Sequence, residues 1–484
     1  MRQFLPLALL LSTAAPLVAA PQSGSLQAGR AAPITAQERR QGATTNASLT
    51  AEYGGALTGR QAAYVEQVGR RIATRSGLSA SPTAFNVTLL DSPLDNAFAI
   101  PGGYVYVTRN LVALMNDEAE LAAVMGHEVA HVAARHSQRR QSAAQRNSIL
   151  GALGQAVVGA VTGNSAIGGL LGRGIGAGAQ LATLGFSRGQ ETESDNLAVR
   201  YLAGANYDPL ALSTMLESLA NQTELQGART GQAQAATPRW ASTHPDPGQR
   251  VRNAEQQAAR VGAVPAATRN RDAFLSAIDG MMYGENPRQG VVEGRRFLHP
   301  DLGLAFDVPQ GFSLSNTTRA VKIAGRGVQA EFSAAPFSGN LDAYVGNVVR
   351  TLGATASAPT ERTTVNGIPA AYTQFRAASG QTQVNVVVFA YQLSSGQAVH
   401  FAAIGDAAAL EPAFGSLRRL SRTESAAVKP RFVRVVTVRA GDTPATLSRR
   451  MAYPDAQLDR FAVLNRIDPR TALRPGEKVK IVTY

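Results

Sequence analysis

Between Asp117 and His136 the chain reads DEAELAAVMGHEVAHVAARH. Ala, Leu, Glu, Met and Val favour helix, and Asn116 or Asp117 can cap its start. Within this stretch His127, Glu128 and His131 form an H-E-x-x-H sequence. Helical i,i+4 spacing puts both imidazoles on one face, ~5–6 Å apart at Cβ. Two nitrogens so placed can reach one zinc at ~2.0–2.1 Å each. Glu128 then lies beside the metal rather than on it, placed to take the proton of an attacking water. Three of the six histidines fall between His127 and His136. An apolar helix rarely spends two histidines and a glutamate on one face for packing alone.

Cysteine is absent, which excludes disulfides, thiolate nucleophiles, iron–sulfur clusters and cysteine-ligated zinc. Any metal is therefore held by His, Asp or Glu, and two histidines leave a catalytic zinc one protein ligand short. The best source of a third is Ser187–Asn196, SRGQETESDN, which runs into a helix ending near Gly204. Glu191 and Asp195 share a face at i,i+4. Glu191 as ligand would leave Asp195 to accept the free N–H of a ligating histidine. Glu193 points elsewhere and reads as solvated. Spacing alone leaves equally open an ordinary acidic first turn favoured by the helix dipole. His244 opens THPDPGQR, with Arg250 six residues on. A lone histidine is usually a turn residue; near a zinc site it would instead contact the metal or the oxyanion, with Arg250 stabilising developing charge. His136, His299 and His400 carry no motif and read as structural.

The 484 residues suit about three domains, and 44% hydrophobic with 17% charged residues excludes a wholly disordered chain. Residues 1–20 combine a basic start, a short apolar run and small residues, the pattern of a secretory signal peptide; the competing reading is an uncleaved anchor. Residues 21–48 read as a flexible leader rich in small and polar residues. Residues 49–265 are mainly helical, with one strand signal at Ala99–Thr108. Residues 290–422 alternate like strands and read as an α+β domain of unknown role. Residues 431–484 form a small terminal unit. Between Arg146 and Arg173 there is no charge, and glycine abounds. Segment 147–180 therefore suggests possible membrane-surface contact, against the simpler reading of a Gly/Ala-rich insertion over the active site.

These motifs match a known family. The chain resembles the HtpX/BepA-like zinc metallopeptidases, which include the CAAX prenyl endopeptidases and mitochondrial Oma-type peptidases. The carriers are NAFAIPGGYVYVTRNL, the H-E-x-x-H helix, SRGQETESD and THPDPGQR, together spanning roughly residues 50–260. The family's E-x-x-A-D motif stands here as Glu191 to Asp195, with Ser194 in place of alanine. The resemblance implies a zincin-type peptidase domain, mainly α-helical, with one Zn2+ held by His127, His131 and Glu191. It implies Glu128, His244 and Arg250 as catalytic residues, Asp195 behind the ligands, and latency when His244 caps the zinc. It also implies that Asn96–Thr108 is an edge strand beside the cleft, able to pair with an extended substrate. Val433–Tyr484 resembles a LysM module, a βααβ unit that binds N-acetylglucosamine polymers. Gly441-Asp442-Thr443 and Leu464-Asn465 carry that likeness, which implies glycan contact at Asp442, Thr443 and Asn465.

The expected molecule is thus multidomain, with a zincin-type peptidase domain, an α+β domain and a LysM-like unit in that order. The net charge of +13 suits acidic partners. With one Trp and no nucleic-acid module, wall or lipid contact explains it better than nucleic acid. The expected function is a zinc-dependent endopeptidase of the bacterial periplasm or cell envelope, exported by its signal peptide, that cleaves misfolded or stalled exported proteins. Its partners are protein or peptide substrates, with peptidoglycan contact through the LysM-like unit. The alternatives are a hydrolase of peptidoglycan stem peptides and a largely latent assembly factor or chaperone. Gly185-Phe186-Ser187-Arg188-Gly189 satisfies G-x-S-x-G, but the preceding residues do not read as the strand a serine-hydrolase elbow needs.

Overall fold

The computed structural model describes residues 31–140, 186–230, 244, 247–317, 319–325, 327–354, 359–379 and 382–484. The expected signal peptide and segment 147–180 lie outside the described residues.

The first element corrects an expectation. Residues 21–48 were expected to be a flexible leader, yet helix α1 (Ala36–Glu52) runs through most of their described part. It starts with a capping box: Thr35 accepts from the Glu38 N–H while Glu38 reaches back to the Thr35 N–H. Its packing face is small. Leu49 and Tyr53 join Phe98, Ile100 and Tyr106 in a cluster on one side of a sheet. Helix α2 (Arg60–Ala73) packs its valine and isoleucine stripe on the other side.

That sheet replaces the single expected strand. β1 (Asn86–Leu90), β2 (Ala97–Ile100) and β3 (Tyr104–Thr108) pair in the order β1-β3-β2. β1 runs parallel to β3, and β2 runs antiparallel to it. Pro101-Gly102-Gly103 folds Asn96–Thr108 into a hairpin, so β3 is central, with β2 at one edge of the sheet and β1 at the other. Gly102 has φ 101°, and a Cβ there would lie 2.5 Å from the Glu38 carbonyl oxygen. Only glycine fits this turn against α1.

Helix α3 (Arg109–Leu114) leads into α4 (Glu118–Ala133), the H-E-x-x-H helix. Asp117 caps α4 by accepting from the Glu120 N–H, and the Arg269 carbonyl accepts the N–H groups of Glu118 and Ala119. From Glu118 to His131 every residue of α4 is buried. A helix buried all round needs neighbours on every face. These are α2, α5 (Arg188–Gly204), α6 (Ala211–Thr230) and strand β2. Gly126 lets them come close: a Cβ there would sit 3.3 Å from Ile72. α7 (Pro247–Val261) covers α5 and α6, and α8 (Arg271–Ile278) carries the same core past residue 265, to Met281.

β4 (Met282–Tyr283) precedes the second domain. There β5 (Val291–Glu293), β6 (Arg296–His299), β7 (Leu304–Asp307) and the later β15 (Arg418–Arg419) form a small sheet, ordered β15-β7-β6-β5. β8 (Ser313–Asn316), β9 (Ala320–Gly325), β10 (Val328–Ala334), β11 (Glu361–Val365), β12 (Ile368–Ser379), β13 (Thr382–Ser394) and β14 (Gln397–Ile404) form a seven-stranded one, ordered β11-β12-β13-β14-β10-β9-β8. Helix α9 (Leu341–Thr351) fills one face of the large sheet, and a phenylalanine-rich core fills the other. This later region is sheet-rich, with α9 packed on its large sheet. The Nδ1 of its buried His400 lies 2.9 Å from the Tyr344 hydroxyl, and burial lowers the pKa of His400 to about 4. The unfolded chain therefore takes a proton below pH 6.5, whereas the folded one does not until about pH 4. We expect this domain to lose about 3 kcal/mol of stability between those limits. Denaturant unfolding at pH 7 and pH 4.5 should show the loss, and His400→Leu should flatten it.

The terminal unit runs β16 (Arg431–Thr437), a short helix Pro444–Ser448, a longer helix Gln457–Asn465 and β17 (Lys478–Thr483), with β16 and β17 antiparallel. It is joined to the first domain rather than hung from it. β16 also pairs with β4, and Val433 lies in the peptidase-side core. Lys480 is wholly buried and donates to the carbonyls of Ala113, Leu114 and Met115 at the end of α3. Asn465 is 4% exposed, with its amide bonded to the Lys480 backbone on both sides. Glycan contact at Asn465 is thereby corrected: its polar atoms hold β17. Asp442 accepts from the Arg439 N–H and Thr443 caps the short helix, so both also serve local turns.

Candidate metal centre

Three elements and one turn residue build the site. α4 supplies His127, Glu128 and His131, and α5 supplies Glu191 one turn in from its Ser187 cap. His244 precedes α7, which supplies Arg250. All are at most 4% exposed.

Ligand atoms of His127, His131, Glu191 and His244 lie within 4.8 Å of one another. The two Nε2 atoms of His127 and His131 are 3.0 Å apart, and His127 Nε2 lies 3.3 Å from His244 Nδ1. Glu191 Oε1 is 3.0 Å from His244 Nδ1 and 3.5 Å from His131 Nε2, while its Oε2 is 3.6 Å from His127 Nε2. Four ligands at ~2.05 Å around a tetrahedral zinc would stand about 3.3 Å apart. The observed edges bracket that value. Burial lowers the pKa of all three histidines. Three imidazole nitrogens and a carboxylate thus converge on one point, the nitrogen and oxygen donor set that zinc takes. The residues fit zinc.

Behind the ligands lies a second layer. His127 Nδ1 stands 2.9 Å from Asp195 Oδ1, leaving Nε2 for the metal. Arg250 grips Asp195 with two bonds, Nε to Oδ2 at 2.8 Å and Nη2 to Oδ1 at 2.7 Å. Its Nη1 lies 2.9 Å from Glu191 Oε2. Burial alone would raise the Asp195 carboxyl, but Arg250 and His127 hold it well below the usual range. Burial does raise Glu191, against the pull of His127 and Arg250. This corrects the expected oxyanion role of Arg250. Its guanidinium is spent on two buried carboxylates and braces the ligands. Glu128 stands outside the four-ligand set, its Oε1 3.6 Å from His244 Nε2.

Glu193 is also corrected. It is not simply solvated but accepts from Arg139 at 2.9 Å and lies 3.2 Å from His136 Nε2. His136, read as structural, is fully buried with its Nδ1 3.0 Å from His131 Nδ1. The Phe186 ring stacks on His131 at 3.8 Å between centroids. His136 carried no motif in the sequence, and Phe186 entered only as a variable position of the G-x-S-x-G match that was set aside.

Residues 59–258 match the model of Peptidase family M48. The chain is 30% identical over 224 residues to a beta-barrel assembly-enhancing protease of Yersinia pestis, covering 46% of this chain and 44% of that protein. The protein of the same name from Escherichia coli O157:H7 is 31% identical over 201 residues, with 40% and 38% covered. The mitochondrial metalloendopeptidase OMA1 of Schizosaccharomyces pombe is 32% identical over 193 residues, with 40% and 52% covered. The chain thus spans about half or less of the relatives it matches. The matched residues include every member of the four-ligand cluster, a donor set that suits zinc.

Proposed function

We propose that the protein is a zinc-dependent endopeptidase of the bacterial envelope that cleaves misfolded or stalled exported proteins. The observation that carries the reading is the buried His127, His131, Glu191 and His244 cluster with Glu128 beside it. Zinc held there supplies Lewis-acid polarisation of a peptide carbonyl and of an attacking water. Glu128 accepts the water's proton and returns it to the leaving amine. Asp195 fixes the His127 tautomer, and Arg250 holds Asp195 ionised and opposes the upward pull of burial on Glu191. β2 is an edge strand packed beside α4, and an extended substrate could add to it as a further strand. The relatives named beta-barrel assembly-enhancing proteases support the envelope setting. Among the described residues no helix is long and apolar enough to cross a membrane. The basic terminal unit, with Asp442 and Thr443 at its surface turns, is a candidate wall contact.

The test is cleavage of an unfolded protein by the full chain, with removal of zinc by a chelator and its return. Cleavage lost and regained supports the reading; cleavage indifferent to the chelator overturns it.

A second reading rests on His244. Its Nδ1 stands among the ligand atoms, where a water or carbonyl would otherwise bind. In this state the enzyme would be latent. We expect His244→Ala to raise turnover of an unfolded substrate several-fold. A fall in turnover would place His244 in the reaction and end the latency reading.

A further inference from the structure

His131 has two ring nitrogens, and only Nε2 faces the ligand cluster. Nδ1 faces away, to His136 Nδ1 at 3.0 Å. Both atoms cannot donate. The partner on the far side decides which does. His136 Nε2 lies 3.2 Å from Glu193 Oε2, an acceptor, so the His136 proton sits on Nε2. His136 Nδ1 is then the acceptor and His131 Nδ1–H the donor. Arg139 Nη1 holds the same Glu193 oxygen at 2.9 Å.

The chain makes a costly turn to obtain this contact. Arg135, two residues past the end of α4, has φ 53°, a left-handed conformation disfavoured for a residue with a Cβ. Glu38 of α1 pins its guanidinium at 2.5 Å. The turn brings His136 back beneath His131, where Gln190 of α5 also donates to the His136 carbonyl at 3.3 Å.

We propose that His136, oriented by Glu193, is a positioning residue for the zinc ligand His131. The two ligand histidines are then backed in parallel. His127 meets Asp195 and its arginine directly, whereas His131 meets Glu193 and its arginine through an imidazole. The three acids of α5 divide the work. Glu191 and Asp195 face the metal side, and Glu193, about 200° round the helix from Asp195, faces the relay.

The inference rests on the zinc site itself, so its readout is metal binding rather than proteolysis. The experiment measures zinc affinity of the full chain by competition with a chromophoric chelator, and the visible spectrum after cobalt substitution. His136→Phe keeps the ring but removes the acceptor; we expect a 10–100-fold loss of zinc affinity and a changed cobalt spectrum. His136→Asn keeps an acceptor oxygen and should recover part of the loss. Glu193→Gln should weaken zinc binding in the same direction, by less, with zinc-free melting unchanged. Wild-type zinc affinity in a folded His136→Phe protein overturns the proposal. If that variant does not fold, wild-type affinity in Glu193→Gln overturns it. If the unsubstituted chain binds no zinc, the metal-centre reading itself fails.

Discussion

Glu128→Gln should lower peptide-bond cleavage by about three orders of magnitude and leave one zinc bound per chain. The substitution changes one property. Gln fills the same volume at a position 2% exposed, so packing of α4 is preserved. Glu128 is not among the four clustered ligand residues, so the metal remains held. What is lost is a carboxylate able to take a proton and return it, a contribution of typically 10²–10⁴-fold. Rates on an unfolded protein and zinc content by elemental analysis are measured on the same samples. Equal cleavage by both proteins would remove Glu128 from the reaction. Loss of zinc with loss of cleavage would make it a ligand instead.

How far the site is legible in the sequence depends on whether its geometry is local. His127, Glu128 and His131 are legible because one helix sets their spacing. Glu191 is harder, since an acidic helix start looks the same with or without a metal; its role emerges only when α4 and α5 pack. His136 is illegible for a sharper reason. Its function depends on Arg135 leaving the helix through a left-handed turn, and no spacing rule anticipates that. Arg250 is misassigned because a motif shows which residue is present, not which carboxylate has claimed it.

The fold divides the same way. The alternating segments of β12 to β14 announce themselves. Helix α1 does not, because it buries few apolar residues and offers no stripe. Its signal was Thr35-x-x-Glu38, a capping box inside a stretch dismissed on composition. The Pro101-Gly102-Gly103 turn was likewise visible, yet was absorbed into one strand. The docking of the terminal unit was not visible at all. A lysine in a β-strand reads as solvated, and Lys480 is buried only because three helix-end carbonyls await it.

Arg250→Met should destabilise the zinc-free protein by about 3–5 kcal/mol, the usual cost of removing one partner from a buried ion pair. Arg250 is 3% exposed and neutralises two carboxylates that are as buried as itself. Methionine replaces the volume but leaves Asp195 and Glu191 facing each other without a cation. The least costly relief is protonation of one of them. A protonated Asp195 is a poorer acceptor for His127 Nδ1–H, so zinc affinity should fall with stability. Removing both partners should cost less than removing one, because the penalty lies in the orphaned charge rather than in the lost bond. Arg250→Met combined with Asp195→Asn should therefore regain part of the stability lost by Arg250→Met alone. Denaturant midpoints of the zinc-free proteins measure this. Additive losses in the double variant, or a single-variant loss under about 1 kcal/mol, would show that Arg250 does not balance these carboxylates.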